Sequence, residues 1–381
     1  MRRWLARLGL VVTSALFVCL AGEVAVRGLT DTRPPLILPD SRVALINTPD
    51  FDGDVHDAES GETVHLRFNR EGFRGPTWKR EHTGATRVAM LGDSMVVGVG
   101  VGEVELLTTQ LQTALASERP GQTWEVMNLG VPAASPATQL VLWREILRAY
   151  TPDIVLATFF VGNDLSDDCA CLDNFPRIYF ELDASGALIQ RPFSAGRGGV
   201  SAWLNRKSRL YVWQKDAINR TLKGARKASG KLENRALVYA TNPGAEATRA
   251  WAITGAIFST FRKEVEATGA KFGVVVLTDS AQIYADRFAS LTGRAHPEAE
   301  FSAEEPEKRM NQLAQSGGFW SLDLTYEFRN AAPSADSKLA AEQLYFNGHG
   351  HFNPRGHALA ASAIARWMAR TGFLDAQPPA P

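Results

Sequence analysis

Residues 87–94 read RVAMLGDS, and the reading of this stretch decides the fold. A short apolar run that ends in glycine is what a strand buried on both faces of a parallel sheet looks like. The turn then delivers Asp93 and Ser94 at the start of a helical pattern. Outward from here the same unit recurs. Residues 103–118 (EVELLTTQLQTALASE) have helical spacing, and 124–130 (WEVMNLG) read as a second strand. Residues 135–150 (SPATQLVLWREILRAY) read as a helix with a Ser/Pro start, and 152–160 (PDIVLATFF) as a third strand. Later come a helix over 247–268, a strand over 271–278, a short strand over 319–324 and a closing helix over 354–371. Alternation of this kind predicts an α/β protein whose central parallel sheet is covered by helices on both faces.

The 381 residues, 45% of them apolar, suffice for one large domain or two modest ones. Forty-one basic and 41 acidic residues balance, so the charge gives no sign of a nucleic-acid partner. Three cysteines make no disulfide framework. Cys169 and Cys171 form a C-x-C that is read as two loop cysteines, with metal chelation or a local disulfide as alternatives.

Residues 1–29 are predicted to be a signal anchor. Arg2, Arg3 and Arg7 precede the uncharged run LGLVVTSALFVCLAG, so the positive-inside rule puts the N-terminus in the cytoplasm and the rest outside. A cleaved signal, cut after Ala21, is the alternative; either way the main domain is exported. Cys19 follows the bulky Val18, which argues against a lipoprotein. Residues 30–85, rich in Pro, Asp, Gly and Thr, read as a linker and β-rich lead-in, and 86–375 as the main domain. An insertion or lid at about 165–245 interrupts it, with a hairpin turning at Asp183–Gly186 and then one basic amphipathic helix. From Arg191 to Arg235 twelve Lys/Arg face two acids. A solvated helix face is the plainer reading, and contact with anionic lipid or glycan the sharper one.

Ligands of doubly wound sheets bind beyond the carboxyl ends of the strands. Gly98, Gly100 and Gly102 lie past the first strand end but match neither the dinucleotide fingerprint nor the P-loop. At that end stands Ser94, on a tight turn that exposes a nucleophile beside backbone N–H groups. The second strand ends at Gly130, the third leads to Asn163, and His351 lies in HFNPRGH before the last helix. Asn353 and Pro354 make an N-cap and N1 pair there. Each residue alone also fits a helix cap, a turn glycine or a turn asparagine.

In order, these loops resemble the SGNH (GDSL-type) hydrolase superfamily, and the resemblance spans roughly residues 62–373. FNREGFRG, LGDSMVVGVGV and PDIVLATFFVGND are similar to one bacterial branch of single-pass, envelope-facing members. The resemblance implies a flavodoxin-like three-layer α/β/α sandwich, Ser94 as nucleophile, and His351 as general base. It also implies an oxyanion hole of the Ser94 N–H, Gly130 and Asn163. No cofactor or metal is implied. The family usually has an aspartate two or three residues before the histidine; here those positions hold His349 and Gly348. In the serine-protease template, exchanging that aspartate for asparagine costs about 10⁴ in rate. Asp323 and Glu342 are the substitutes considered.

Metal binding by His349, His351 and His357 is disfavoured, because no spaced carboxylate or cysteine completes a zinc pattern. His357 is assigned to packing in the final helix. The leading functional expectation is a membrane-anchored serine esterase of the inner membrane, facing the periplasm and acting on acyl esters of an envelope glycan or lipid. The alternatives are an envelope polysaccharide O-acyltransferase using the same serine, and a catalytically weak glycan- or lipid-binding protein.

Overall fold

The computed structural model describes residues 2–30, 32–57, 61–82, 84–173, 175–193, 199–223, 234–293, 299–332, 343–346 and 350–375. Helix α1 (Arg2–Leu29) comes first. Two antiparallel pairs follow, β1 (Ile37–Asp40) with β2 (Ala44–Asn47) and β3 (Asp52–His56) with β4 (Thr63–Arg67). Then come β5 (Thr86–Gly92), α2 (Ser94–Val97), α3 (Leu107–Glu118), β6 (Trp124–Gly130), α4 (Pro136–Glu145), β7 (Ile154–Phe160) and α5 (Asp164–Asp168). The insertion supplies the hairpin β8 (Phe180–Leu182) and β9 (Leu188–Gln190) and helices α6 (Gly199–Lys207) and α7 (Arg209–Lys223). The chain returns through α8 (Ala245–Glu266), β10 (Lys271–Leu277), α9 (Ser280–Ile283) and α10 (Ala285–Thr292). It closes with α11 (Glu305–Gly317), β11 (Trp320–Asp323), α12 (Thr325–Ala331) and α13 (Pro354–Arg370).

Five strands form one parallel sheet in the order β11–β10–β7–β5–β6. This is the doubly wound order of flavodoxin-like sheets, whose succession reverses between the first and third strands, here β5 and β7. Side chains of β5 alternate between two cores. Val88 and Met90 pack with Leu111, Leu115, Ile364 and Met368 of α3 and α13. Ala89 and Leu91 pack with Leu140, Ile257 and Phe261 of α4 and α8. Burial on both faces is why the strand reads as an unbroken apolar run; each large side chain contributes about 1.5–3 kcal/mol.

The β-rich lead-in is bound into this body. The Arg74 guanidinium, 1% exposed, donates to the carbonyls of Val97 (2.8 Å), Gly98 (2.7 Å) and Val101 (2.5 Å), just beyond α2. Asn47 Nδ2 donates to the Gly72 and Gly130 carbonyls.

Two expectations are corrected. The single basic helix of the insertion is two, broken at Ser208, because the Glu23 carboxylate accepts the N–H groups of Arg209 and Leu210 and starts a new helix. Cys169 and Cys171 are joined rather than free. The chain turns after α5 and brings their Cα atoms to 5.1 Å, within bridging range. α1 is long and apolar enough to cross a membrane and is almost wholly exposed, as a membrane anchor or a signal sequence would be.

Candidate active site

Ser94 opens α2 at the carboxyl end of β5. The preceding turn needs glycine, since a Cβ on Gly92 would collide with Thr158 Oγ1 and Val96. Asp93 caps the helix by accepting the Met95 N–H at 2.9 Å. His351 Nε2 lies 2.8 Å from Ser94 Oγ, although 257 positions separate them. The histidine's loop is held from both sides. Phe346 N–H donates to the His351 carbonyl, Phe352 is fully buried against Phe328 and Tyr345, and the Tyr345 hydroxyl donates to the Thr278 carbonyl. Asn353 then caps α13 by accepting the Gly356 N–H at 3.0 Å.

Asn163 follows β7, on the other side of the switch point. Its Nδ2 donates to Asp167 Oδ2 at 2.8 Å, and Asp167 and Asp173 are both paired with the buried Arg177. This chain of charges fixes the orientation of the amide. Asn163 and Ser94 both line a cavity of about 450 Å³, with Asp93, Asp279 and His351. Both also line a second cavity of about 230 Å³, with Ala133, Asp167 and Phe175. Arg235 lines both cavities, and Arg287 the larger one.

Gly130 does not join them. Its N–H is donated to Asn128 Oδ1 at 3.2 Å, and a Cβ there would lie 2.5 Å from Val97 N. Gly130 is therefore glycine because α2 presses on β6, not because a ligand approaches. Asn128, buried, braces the same contact by donating to the Val96 carbonyl. The residue from this loop that does line a cavity with Ser94 is Ala133, held at φ +63. A left-handed alanine is uncommon and costs of order 1 kcal/mol, and such strain concentrates at functional positions.

Of the aspartate substitutes, Asp323 is half-buried at the end of β11, where Oδ1 accepts the Thr325 N–H, and it does not line the cavity of His351. Glu342, Gly348 and His349 lie outside the described residues. Two carboxyls share that cavity, Asp93 beside the serine and, just past β10, Asp279. Its Oδ1 accepts from Ala281 N–H and Ser280 Oγ and its Oδ2 from the Tyr239 hydroxyl, and a Cβ on Gly350, next to His351, would lie 3.9 Å from Oδ1. Its sequence signal was its place, an acid at the fourth strand end. His357 is fully buried, and its Nδ1 accepts the Leu107 N–H at 3.0 Å. Burial, then the nearby charge of Arg74, pushes its pKa down to about 3, so it stays a neutral acceptor.

Behind the serine lie three buried carboxyls. Burial, reinforced by Asp167, pushes Asp93 up to about 7. Burial also pushes Asp168 up to about 7, and Asp164 well above the carboxylate range with help from the charges of Asp93 and Asp168. Their N–H donors (Met95, Ala137 and Phe160) tie strand-end loops and helix starts together.

No protein-family model and no curated protein matches the chain. Among solved structures it is similar to an α/β hydrolase from the metagenome of Lake Arreo, Spain, at 12% identity and TM-score 0.39, covering 77% of this chain and 99% of that one. It is also similar to a lipase/acylhydrolase from Enterococcus faecalis, at 12% identity and TM-score 0.38, with coverage of 77% and 99%. A GDSL-like lipase from Bacteroides thetaiotaomicron has 10% identity and TM-score 0.36, with coverage of 77% and 93%. In this chain a serine follows the first strand of a flavodoxin-like sheet, a histidine stands on its hydroxyl, and an asparagine lies across the switch point.

Proposed function

We propose that the protein is a serine esterase held in the membrane by α1, with its cleft on the extracytoplasmic side, and that it hydrolyses acyl esters of an envelope glycan or lipid. The observation that carries this reading is the 2.8 Å approach of His351 Nε2 to Ser94 Oγ at the switch point of the sheet. Ser94 Oγ attacks the acyl carbon while His351 takes its proton. The tetrahedral oxyanion is met by the backbone N–H groups of Ser94 and Ala133 and the side-chain amide of Asn163. His351 returns the proton to the departing alcohol. Water, deprotonated by the same imidazole, then releases the acid and restores the serine. Asp279 supplies negative charge beside the imidazolium that forms in each half-reaction. The arginines at the N-terminal end of α1, ahead of its uncharged run, support the orientation.

Two cavities meeting at Ser94 favour one second reading, an O-acyltransferase, in which one cavity holds the acyl donor and the other an accepting sugar hydroxyl. Labelling of the full chain in detergent with a fluorophosphonate tests both. Ser94-dependent labelling, lost in Ser94→Ala, is expected; its absence in the wild type sinks hydrolase and transferase alike and leaves a binding protein. If labelling occurs, release of acid in water alone identifies the hydrolase, and turnover only with a glycan acceptor the transferase.

A further inference from the structure

The insertion meets α1 at a specific joint. Glu23 Oε1 accepts the Arg209 N–H at 2.8 Å, and Oε2 accepts from the Leu210 N–H (3.0 Å) and the Ser208 hydroxyl (2.8 Å). One turn further on, Arg27 donates to the Lys207 carbonyl at 2.9 Å and to Glu23 itself at 2.7 Å. Leu210 packs so closely that a Cβ on Gly22 would sit 3.0 Å from its Cδ2. The bend between α6 and α7 is thus fastened to the last turns of α1, at the end from which the rest of the chain leaves.

The helix pair is divided. Asn205 and Val212 point inward and are buried. Outward stand Val200 (74% exposed), Trp203 (59%), Trp213 (42%) and Ile218 (58%). The segment 199–223 carries six Lys/Arg and one Asp. Exposed tryptophans and aliphatics interleaved with cations, on helices hung from the end of an apolar span, match the chemistry of one surface. Tryptophan favours the boundary between headgroups and acyl chains, and basic residues favour anionic headgroups.

We propose that α6 and α7 lie in the headgroup layer of the bilayer that α1 crosses, Trp203 and Trp213 reaching the acyl boundary and the basic residues meeting anionic phospholipid. The proposal rests on α1 being a retained membrane span, as in the function proposed above. A chain cut after Ala21 and released from the membrane would have no bilayer at this joint.

Cysteine chemistry gives a direct test, since Cys169 and Cys171 are bonded and Cys19 is exposed and free. In the full chain carrying Cys19→Ser, single replacements Val200→Cys, Ile218→Cys, Leu16→Cys and Tyr326→Cys each take a nitroxide label. The labelled proteins are placed in nanodiscs of zwitterionic lipid with a minority of phosphatidylglycerol, and collision with oxygen and with a water-soluble nickel chelate is measured. Leu16 in α1 is expected to read as acyl interior and Tyr326 on α12 as water. Positions 200 and 218 are expected to show an oxygen-to-nickel ratio several-fold above that of Tyr326. Adding Trp203→Glu and Trp213→Glu is expected to bring that ratio down toward the Tyr326 value. If 200 and 218 read as water while Leu16 reads as lipid, the proposal falls and the anchor stands. Shielding of 200 and 218 from both reagents means protein covers the helices, which also overturns it. If Leu16 reads as water, the anchor and the proposal fall together.

Discussion

The carboxyl edge of the sheet and the α6–α7 pair break the ordinary partition of residues in opposite directions. Carboxyls are almost never fully buried unless paired, yet Asp93, Asp164 and Asp168 sit inside the edge. Tryptophans are ordinarily well covered, yet Trp203 and Trp213 stand outside on the helix pair. At the edge, polar groups are buried because they must hold loops that end several strands at one point. On the helix pair, apolar groups are exposed because nothing within the described residues covers them. The first pattern is organised around a reaction and the second around a surface, and each is expected to fail under different substitutions.

The largest effects belong at the edge. Ser94→Ala and His351→Ala are each expected to lower ester turnover by about 10⁴–10⁶, measured with an activated acyl ester, while neither moves α6 or α7. Asn163→Ala is expected to cost about 10²–10³ in kcat with little change in KM, since its amide meets charge that develops after binding. Asp279→Asn is expected to lower kcat by less than the roughly 10⁴ of a serine-protease triad aspartate. It also moves the acid limb of the pH–rate profile to lower pH, because removing a neighbouring negative charge makes the imidazolium easier to deprotonate. An unmoved acid limb would remove Asp279 from the account. Conversely, His349→Asp is expected to preserve or raise activity; a severe loss would give His349 a role of its own.

The smallest effect is on stability. A carboxyl with a raised folded pKa binds more protons folded than unfolded, so stability falls as pH rises from the unfolded value of 3.8 towards the folded one, about 7 for Asp93 and Asp168. Asp164 has the same sign. Asp164→Asn keeps an acceptor for the Phe160 N–H and removes the proton that the folded state must bind. It is expected to raise the melting midpoint at pH 8 by about 2–4 °C for each kcal/mol regained, with less gain at pH 5. An equal gain at both would mean that Asp164 is not held protonated. The helix pair is expected to be indifferent to all of these changes.

The order of strands and the loops that bear Ser94, Asn163 and His351 were legible because each strand end is marked by a period change and a turn residue. Gly130 was misread because a glycine pressed by a helix and a glycine facing a ligand look alike in a sequence. Ala133 gave no signal, since alanine does not advertise a left-handed backbone. Asp279 stands 72 positions before His351 in sequence, at another strand end, and only the fold brings the two to one cavity. The break between α6 and α7 was invisible because the group that makes it, Glu23, lies 185 positions away from Ser208 in sequence.

One consequence of the Arg74 guanidinium concerns where the catalytic unit begins. A polypeptide starting at Thr86 would hold every strand of the parallel sheet and both reacting side chains. It would lack the three donated hydrogen bonds that hold the turn behind the nucleophile at the carbonyls of Val97, Gly98 and Val101. A hydrogen bond to a charged group contributes about 1.5–3 kcal/mol, and the truncation loses three. The border drawn by topology and the border drawn by thermodynamics therefore differ. The smallest piece that keeps these three hydrogen bonds starts in the lead-in, upstream of Arg74.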